Sequence, residues 1–159
     1  MKGEYMEIMR TDSCNQGFRA LCTRLDRDLD GRYGRAQEKY DQHNIIEDNG
    51  TVIVGYLDDI PVAGGCFKIL DPETIEIKRM FVVPEHRRKG YSTRLLIALE
   101  EWARELEFSI ALLETGKGQP EAIQLYQTQG YEIIENYGPY AGVENSLCMK
   151  KRLDCHNVR

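Results

Sequence analysis

Arg87, Arg88, Lys89 and Gly90, followed by Ser92 and Thr93, concentrate cations, a glycine and hydroxyls in one short stretch. A strand-like run over 74–83 precedes it and an apolar-periodic helix over 90–108 succeeds it. A basic, glycine-containing turn in that setting offers several backbone N–H groups and the positive end of a helix dipole, which are the parts that bind a pyrophosphate. The same residues would also suit a solvated surface turn, and the turn alone leaves both readings open.

Periodicity gives the elements that must hold this turn. Residues 5–10 alternate weakly and read as a first strand, with Asp12 or Ser13 as cap of the next element. Phe18, Leu21, Cys22, Leu25 and Leu29 recur at spacings of three and four, so 17–29 is an amphipathic helix, and Gly31 and Gly34 end it or begin a loop. A short second helix is expected over 37–43. Strand-like runs at 51–57 and 61–70, joined at Asp58-Asp59, make an antiparallel hairpin, and Gly64-Gly65 would allow a bulge or a close backbone approach. Asp71-Pro72-Glu73 then turns the chain into 74–83, giving three consecutive antiparallel strands. Within 90–108, Leu95, Leu96, Leu99, Trp102, Ala103 and Leu106 form one stripe, and the strand at 109–114 beyond this crossover helix needs a parallel neighbour. Pro120 opens another helix, with Gln119 or its predecessor as cap, and Gly130 stops it. Strands at 131–134 and 146–151 enclose a loop rich in aromatic and turn residues, and 152–159 reads as a frayed tail. The order is α+β, a mixed α/β arrangement in a single domain over 1–159, and not a Rossmann unit.

Composition narrows the function. The chain has 159 residues, 42% of them apolar and 30% charged, as in ordinary globular domains. A net charge of -5 with both signs interspersed argues against nucleic-acid binding, which needs concentrated positive charge. No apolar run approaches a membrane span, and Met1-Lys2-Gly3-Glu4 contains no apolar signal core, so no membrane partner is expected and the cytoplasm is the expected compartment. Cys14, Cys22, Cys66, Cys148 and Cys155 form no C-x-x-C pair, and with only His43, His86 and His156 available no metal site is expected.

The run Val82-Val83-Pro84-Glu85-His86-Arg87-Arg88-Lys89-Gly90-Tyr91-Ser92 resembles the acetyl-CoA-binding motif of the GCN5-related N-acetyltransferase (GNAT) superfamily, Gln/Arg-x-x-Gly-x-Gly/Ala. Arg87 fills the first position and Gly90 the glycine, while Ser92 departs at the last. Glu114 and the segment from Gln119 to Tyr131 resemble the family's Asn-x-x-Ala-x-x-Leu-Tyr-x-x-x-Gly-Phe stretch, with Gln119 in place of Asn and Tyr131 in place of Phe. The likeness covers roughly 51–151.

That resemblance implies a GNAT-like acyl-CoA N-acyltransferase fold, a mostly antiparallel sheet of six or seven strands flanked by about four helices. It implies acetyl-CoA (coenzyme A) as cofactor, held by Phe81, Val82, Val83, Arg87, Arg88, Lys89, Gly90, Tyr91, Ser92, Thr93, Gln119 and Tyr126. It implies that Tyr126 protonates the leaving thiolate and that Glu76 is a base, although core packing for Tyr126 and a cross-sheet pair with Lys78 or Arg79 for Glu76 remain open. A backbone N–H near Met80 to Val82 would polarise the thioester carbonyl. Tyr137, Tyr140 and Asn145, with Glu38, Tyr40, Asn44 and Glu76, would border the acceptor, for which aromatics beside carboxylates suit a small amine or a peptide N-terminus. The activity expected is acetyl transfer to a primary amine by direct attack in a ternary complex. The alternatives are a transferase using a different acyl-CoA and a non-catalytic acyl-CoA-binding regulatory module. A homodimer is left open.

Overall fold

Asn15, and neither Asp12 nor Ser13, caps the first helix in the computed structural model, which describes residues 5–33 and 49–153. Its Oδ1 accepts the Phe18 N–H at 2.9 Å, while Asp12 Oδ1 accepts the Cys14 N–H and Ser13 Oγ the Asn49 N–H. Helix α1, Gln16–Tyr33, runs through Gly31 instead of ending there. An exposed glycine inside a helix costs only about 1 kcal/mol, too little to stop one that is anchored by an apolar stripe. The short helix expected over 37–43 lies outside the described residues, which contain three α-helices.

Seven strands, β1 (Glu7–Thr11), β2 (Val52–Leu57), β3 (Ile60–Asp71), β4 (Thr74–Val82), β5 (Ile110–Gly116), β6 (Glu132–Ile134) and β7 (Ser146–Arg152), form one mixed sheet in the order β1-β2-β3-β4-β5-β7-β6. The chain divides into two compact units, Met1–Phe67 with Arg79–Leu99, and Lys68–Lys78 with Glu100–Arg159.

In the first unit, β1 (Glu7–Thr11) pairs antiparallel with β2 (Val52–Leu57), and β2 with β3 (Ile60–Asp71). Asp58 and Asp59 join the hairpin at φ 50° and 67°, the left-handed pair that matches strand twist. The register shift falls at Gly55/Tyr56 and not at Gly64-Gly65. Gly64 and Gly65 serve close approach instead: a Cβ on Gly64 would lie 3.2 Å from Leu21 Cδ1, and one on Gly65 would lie 2.6 Å from Met80 Sδ. Helix α1 therefore packs Phe18 and Leu21 against a strand surface with no side chain in the way. Strand β4, Thr74–Val82, is broken in phase by Arg79 at φ 61°. The Arg79 guanidinium, with a side chain only 7% exposed, meets Asp26 Oδ1 of α1 at 2.6 Å. Helix α2, Tyr91–Glu105, continues into the second unit from Glu100 and buries Leu95, Leu96, Leu99 and Ala103 of the expected stripe, while Trp102 is half-buried and Leu106, beyond the helix, is exposed. It stops short of the expected residue 108, because Glu107 turns left-handed and Phe108 N–H closes onto Ala103 O.

In the second unit, β5 (Ile110–Gly116) runs parallel to β4, as the crossover requires, in a register from Thr74↔Ile110 to Ile77↔Leu113. Helix α3, Pro120–Thr128, starts beyond Gln119 and ends in a left-handed Gly130 at φ 99°. Strand β6 is Glu132–Ile134, and β7, Ser146–Arg152, pairs with both β5 and β6. The expected tail from 152 is corrected in part: Arg152 belongs to β7, and Leu153 is fully buried, its N–H donating to Ser109 O and its carbonyl accepting from Arg104 Nε. Residues 154–159 lie outside the described residues. Among the described residues no helix is long and apolar enough to cross a membrane.

Candidate active site

The basic turn in the first unit is built by two left-handed residues on either side of Lys89. Arg88 has φ 67° and Gly90 φ 81°, and a Cβ on Gly90 would meet nothing within 4 Å. Arg94 N–H is the first in α2 to close onto its own turn, at Gly90 O. The N–H groups ahead of it are those that helix geometry leaves without an intrahelical acceptor, at the positive end of the dipole. Arg88, Lys89 and Gly90 are exposed, and Ser92 and Thr93 half-buried.

The cations of this cluster divide into two kinds. Arg87 turns back on its own chain, where Nε donates to Val82 O at 2.8 Å, the guanidinium lies 5.3 Å from the Phe81 ring centroid, and Nη2 approaches Asp28. Arg94 likewise donates to Met6 O and covers the Tyr5 ring. Arg88 and Lys89 remain outward, with Lys89 Nζ 3.2 Å from His86 Nδ1. Phe81, Val82, Val83 and Tyr91 are all buried. Val83 uses both of its backbone groups within the fold, donating to Val62 O and accepting from His86 N–H.

The second unit gathers carboxylates and phenols from four elements. Glu76 and Lys78 on β4, Glu114 on β5 and Cys148 on β7 share one sheet face by strand alternation, since Glu114 lies opposite Cys148 and Glu76 opposite Leu112. The loop after β6 folds over them, pinned by Asn136 Nδ2, which donates to Val143 O and Ser146 O. Tyr137 donates to Glu76 Oε2 at 2.7 Å, and Lys78 Nζ lies 3.9 Å from Glu76 Oε1 and donates to the Tyr140 hydroxyl at 3.2 Å. The Tyr137 and Tyr140 rings meet edge-on at 5.7 Å. Tyr140 is buried and Tyr137 half-buried, so these loop tyrosines are not solvated surface. Burial, then the Glu76 carboxylate, raises both phenols above their usual range.

Glu114 is the group the sequence did not single out as a site residue. The register with β4 ends one residue before it, at Ile77↔Leu113. Its Oε2 accepts the Ser146 hydroxyl at 2.7 Å, its one hydrogen bond among the described residues. Burial pushes the carboxyl up to about 6 and Glu76 adds to this, while the Ser146 hydroxyl and the Lys78 charge pull it down. Tyr126 on α3 is 7% exposed, and its phenol has no hydrogen-bond partner among the described residues. Burial first, and Glu114 second, hold that phenol above its usual range. Buried polar groups without a partner are rare and demand an explanation.

Of the remaining residues expected at a site, Gln119 caps α3 through its backbone, with its carbonyl accepting from Ala122 and Ile123. Asn145 is exposed, and its carbonyl accepts from Lys117 N–H. Glu38, Tyr40 and Asn44 lie outside the described residues.

The profile of the acetyltransferase (GNAT) family matches residues 18–131. The chain belongs to that family. Among the relatives of this GNAT chain, the IAA acetyltransferase of Azospirillum brasilense is 44% identical over 78 residues, 49% of this chain and 51% of that protein. The chain thus spans about half the length of that curated relative. A Klebsiella pneumoniae protein named provisionally as an acyl-CoA N-acyltransferase superposes with a TM-score of 0.78 at 26% identity, covering 94% of this chain and 99% of that one. The PaiA N-acetyltransferase of Thermoplasma acidophilum, solved in complex with coenzyme A, shares the fold at TM-score 0.70 and 14% identity, with 93% of this chain and 99% of that one covered. The GNAT fold expected from the two motifs is therefore the fold observed.

Proposed function

We propose that this GNAT-family chain is a cytoplasmic N-acetyltransferase that moves the acetyl group of acetyl-CoA to a primary amine by direct attack in a ternary complex. The observation that carries the reading is Tyr126, a buried phenol without a hydrogen-bond partner among the described residues and electrostatically coupled to Glu114, whose carboxyl burial pushes up to about 6. A core packed only for stability would place phenylalanine there.

Acetyl-CoA, when bound, supplies an activated thioester. Its pyrophosphate suits the outward Arg88 and Lys89 and the N–H groups at the start of α2, and the open space above Gly90 lets backbone approach an anion closely. Arg87 is assigned to bracing the turn through Val82 O, Phe81 and Asp28. Glu114 is the better base of the two carboxylates. A group titrating near 6 is ionised at neutral pH yet keeps enough basicity to take a proton from an ammonium. Glu76, the carboxylate favoured by resemblance, is held by Tyr137 and Lys78 and orients the acceptor side. Tyr126, with its pKa raised, keeps its proton throughout the working range. With acetyl-CoA bound, Tyr126 would supply the hydrogen-bond donor and the proton that the leaving sulfur requires.

The test is acetyl-CoA turnover against a panel of aminoglycosides, polyamines, amino acids and peptide N-termini, run with the native protein and with Tyr126→Phe. We expect at least one amine to be acetylated and the variant to lose about 10²-fold in kcat. A Tyr126→Phe protein with an unchanged maximal rate across pH would sink the assignment.

A further inference from the structure

Tyr126 presents a question of mechanics. Its phenol oxygen is tied to nothing among the described residues, yet a hydrogen-bond donor is useful only if its ring is held in one orientation. Tyr131 lies against that ring. The two rings meet edge-on, 5.7 Å between centroids at 67°, and Tyr131 N–H donates to Tyr126 O at 2.9 Å. Gly130 N–H donates to Gln127 O beside it, so α3 ends in a Schellman cap that locks the backbones of Tyr126 and Tyr131 together.

Tyr131 is itself fixed at its far end. Its hydroxyl donates to Glu100 Oε2 at 2.8 Å, and Lys151 Nζ donates to Glu100 Oε1 at 2.9 Å while lying 5.6 Å from the Tyr131 ring centroid. Glu100 is 3% and Tyr131 3% exposed. Gly130 is required by its φ of 99°, since a Cβ there would meet Lys151 Cε only at an ordinary contact distance of 3.6 Å. Burying such a pair and a phenol brings little stability, because apolar residues of the same volume do as well or better. Phenylalanine, the residue the family motif carries at this position, would fill the space without any of these bonds.

We infer that Glu100, Tyr131 and Lys151 form a positioning network that fixes the ring of Tyr126 for catalysis. The role is positioning because none of the three is assigned contact with the reacting atoms. This rests on the acetyltransferase reading for its effect on rate, but not for its effect on the Tyr126 ring.

The experiment uses the full chain, carbon-13-labelled at tyrosine rings, as native protein, Tyr131→Phe, Glu100→Gln, Tyr126→Phe and the Tyr126→Phe/Tyr131→Phe double variant. We expect the Tyr126 ring to flip slowly in the native protein and at least tenfold faster in Tyr131→Phe, with Glu100→Gln moving it the same way. In the assay with acetyl-CoA and the best amine of the panel, Tyr131→Phe should lower kcat on the order of tenfold with KM for acetyl-CoA within twofold, and should cause no further loss once Tyr126 is already Phe. Native-like Tyr126 ring dynamics in both Tyr131→Phe and Glu100→Gln overturn the network, as does an equal loss from Tyr131→Phe with and without the Tyr126 hydroxyl. A Tyr126→Phe protein of full activity instead removes the reading of Tyr126 as the acid, and the ring-flip comparison then decides the positioning by itself.

Discussion

Two glutamates of the second unit, Glu100 buried and Glu114 half-buried, carry the same functional group in opposite company. Glu100 has both oxygens taken, one by the Tyr131 hydroxyl and one by the Lys151 ammonium. Glu114 has a single hydroxyl donor, Ser146, among the described residues, and feels Lys78 and Glu76 as competing charges. A carboxylate with a cation and a second donor in direct contact is a fixed part of the scaffold. One with a single neutral donor stays poorly compensated, so its proton is available for exchange near neutral pH. The less buried carboxylate is the one with fewer partners, so partner count separates an anchor from a base.

The largest effect should come from removing the exchangeable proton. Glu114→Gln keeps the shape and the Ser146 contact, and we expect kcat to fall by about 10² to 10⁴ in acetyl-CoA turnover. The same change should stabilise the protein. The folded-state carboxyl sits at about 6 against an ordinary 4.5, so the folded state holds this proton more tightly than the unfolded chain does. That preference favours folding below pH 4.5 and is lost as pH rises through 6. Ionisation at pH 8 therefore costs about 2 kcal/mol, a penalty that glutamine escapes. Urea unfolding should show the variant more stable than native protein at pH 8 and level with it at pH 4. A loss of stability at pH 8 would mean that Glu114 is an anchor after all.

Glu100 should behave in the opposite sense. Glu100→Ala leaves the Lys151 ammonium and the Tyr131 hydroxyl without their acceptor, and we expect a loss of about 3–5 kcal/mol. Urea or thermal unfolding at neutral pH checks it. A loss below about 1 kcal/mol would place Glu100 with the weakly held carboxylates and erase the contrast.

How far the amino-acid sequence announces each feature depends on how local its signal is. The basic turn, the Asp58-Asp59 hairpin, the crossover helix and the Pro120-to-Gly130 helix are all written in short stretches, and each is present, the crossover helix ending at Glu105 instead of 108. Glu114 comes after the apolar run Ile110-Ala111-Leu112-Leu113 and has the pattern of a strand's polar end. Its pKa is set by burial and by Ser146, Lys78 and Glu76, which are close only after β4, β5 and β7 have paired. Arg87 is one cation among several in the sequence, and only the fold shows it turned onto Val82 O and Asp28. Asp28 lies on α1, far away in sequence. Glycine permits a bulge at Gly64-Gly65, yet the bulge falls at Gly55/Tyr56, since close packing of Leu21 and Met80 claims the other pair.

The smallest and sharpest effect lies in the pH profile. The acid limb of kcat/KM should report Glu114 giving up its proton near pH 6. The groups that face it are Ser146 and Cys148 from β7, Lys78 and Glu76 from β4, Tyr126 from α3 and Tyr140 from the covering loop. Of these, Lys78 lowers its pKa and Glu76 raises it. Lys78→Met should therefore move the limb to higher pH and Glu76→Gln to lower pH, each by up to about one unit. If Glu76 were the base, Glu76→Gln would abolish the limb together with the activity. If Glu114 is the base, activity survives and the two variants displace one titration in opposite directions, which a rearranged structure has no reason to do.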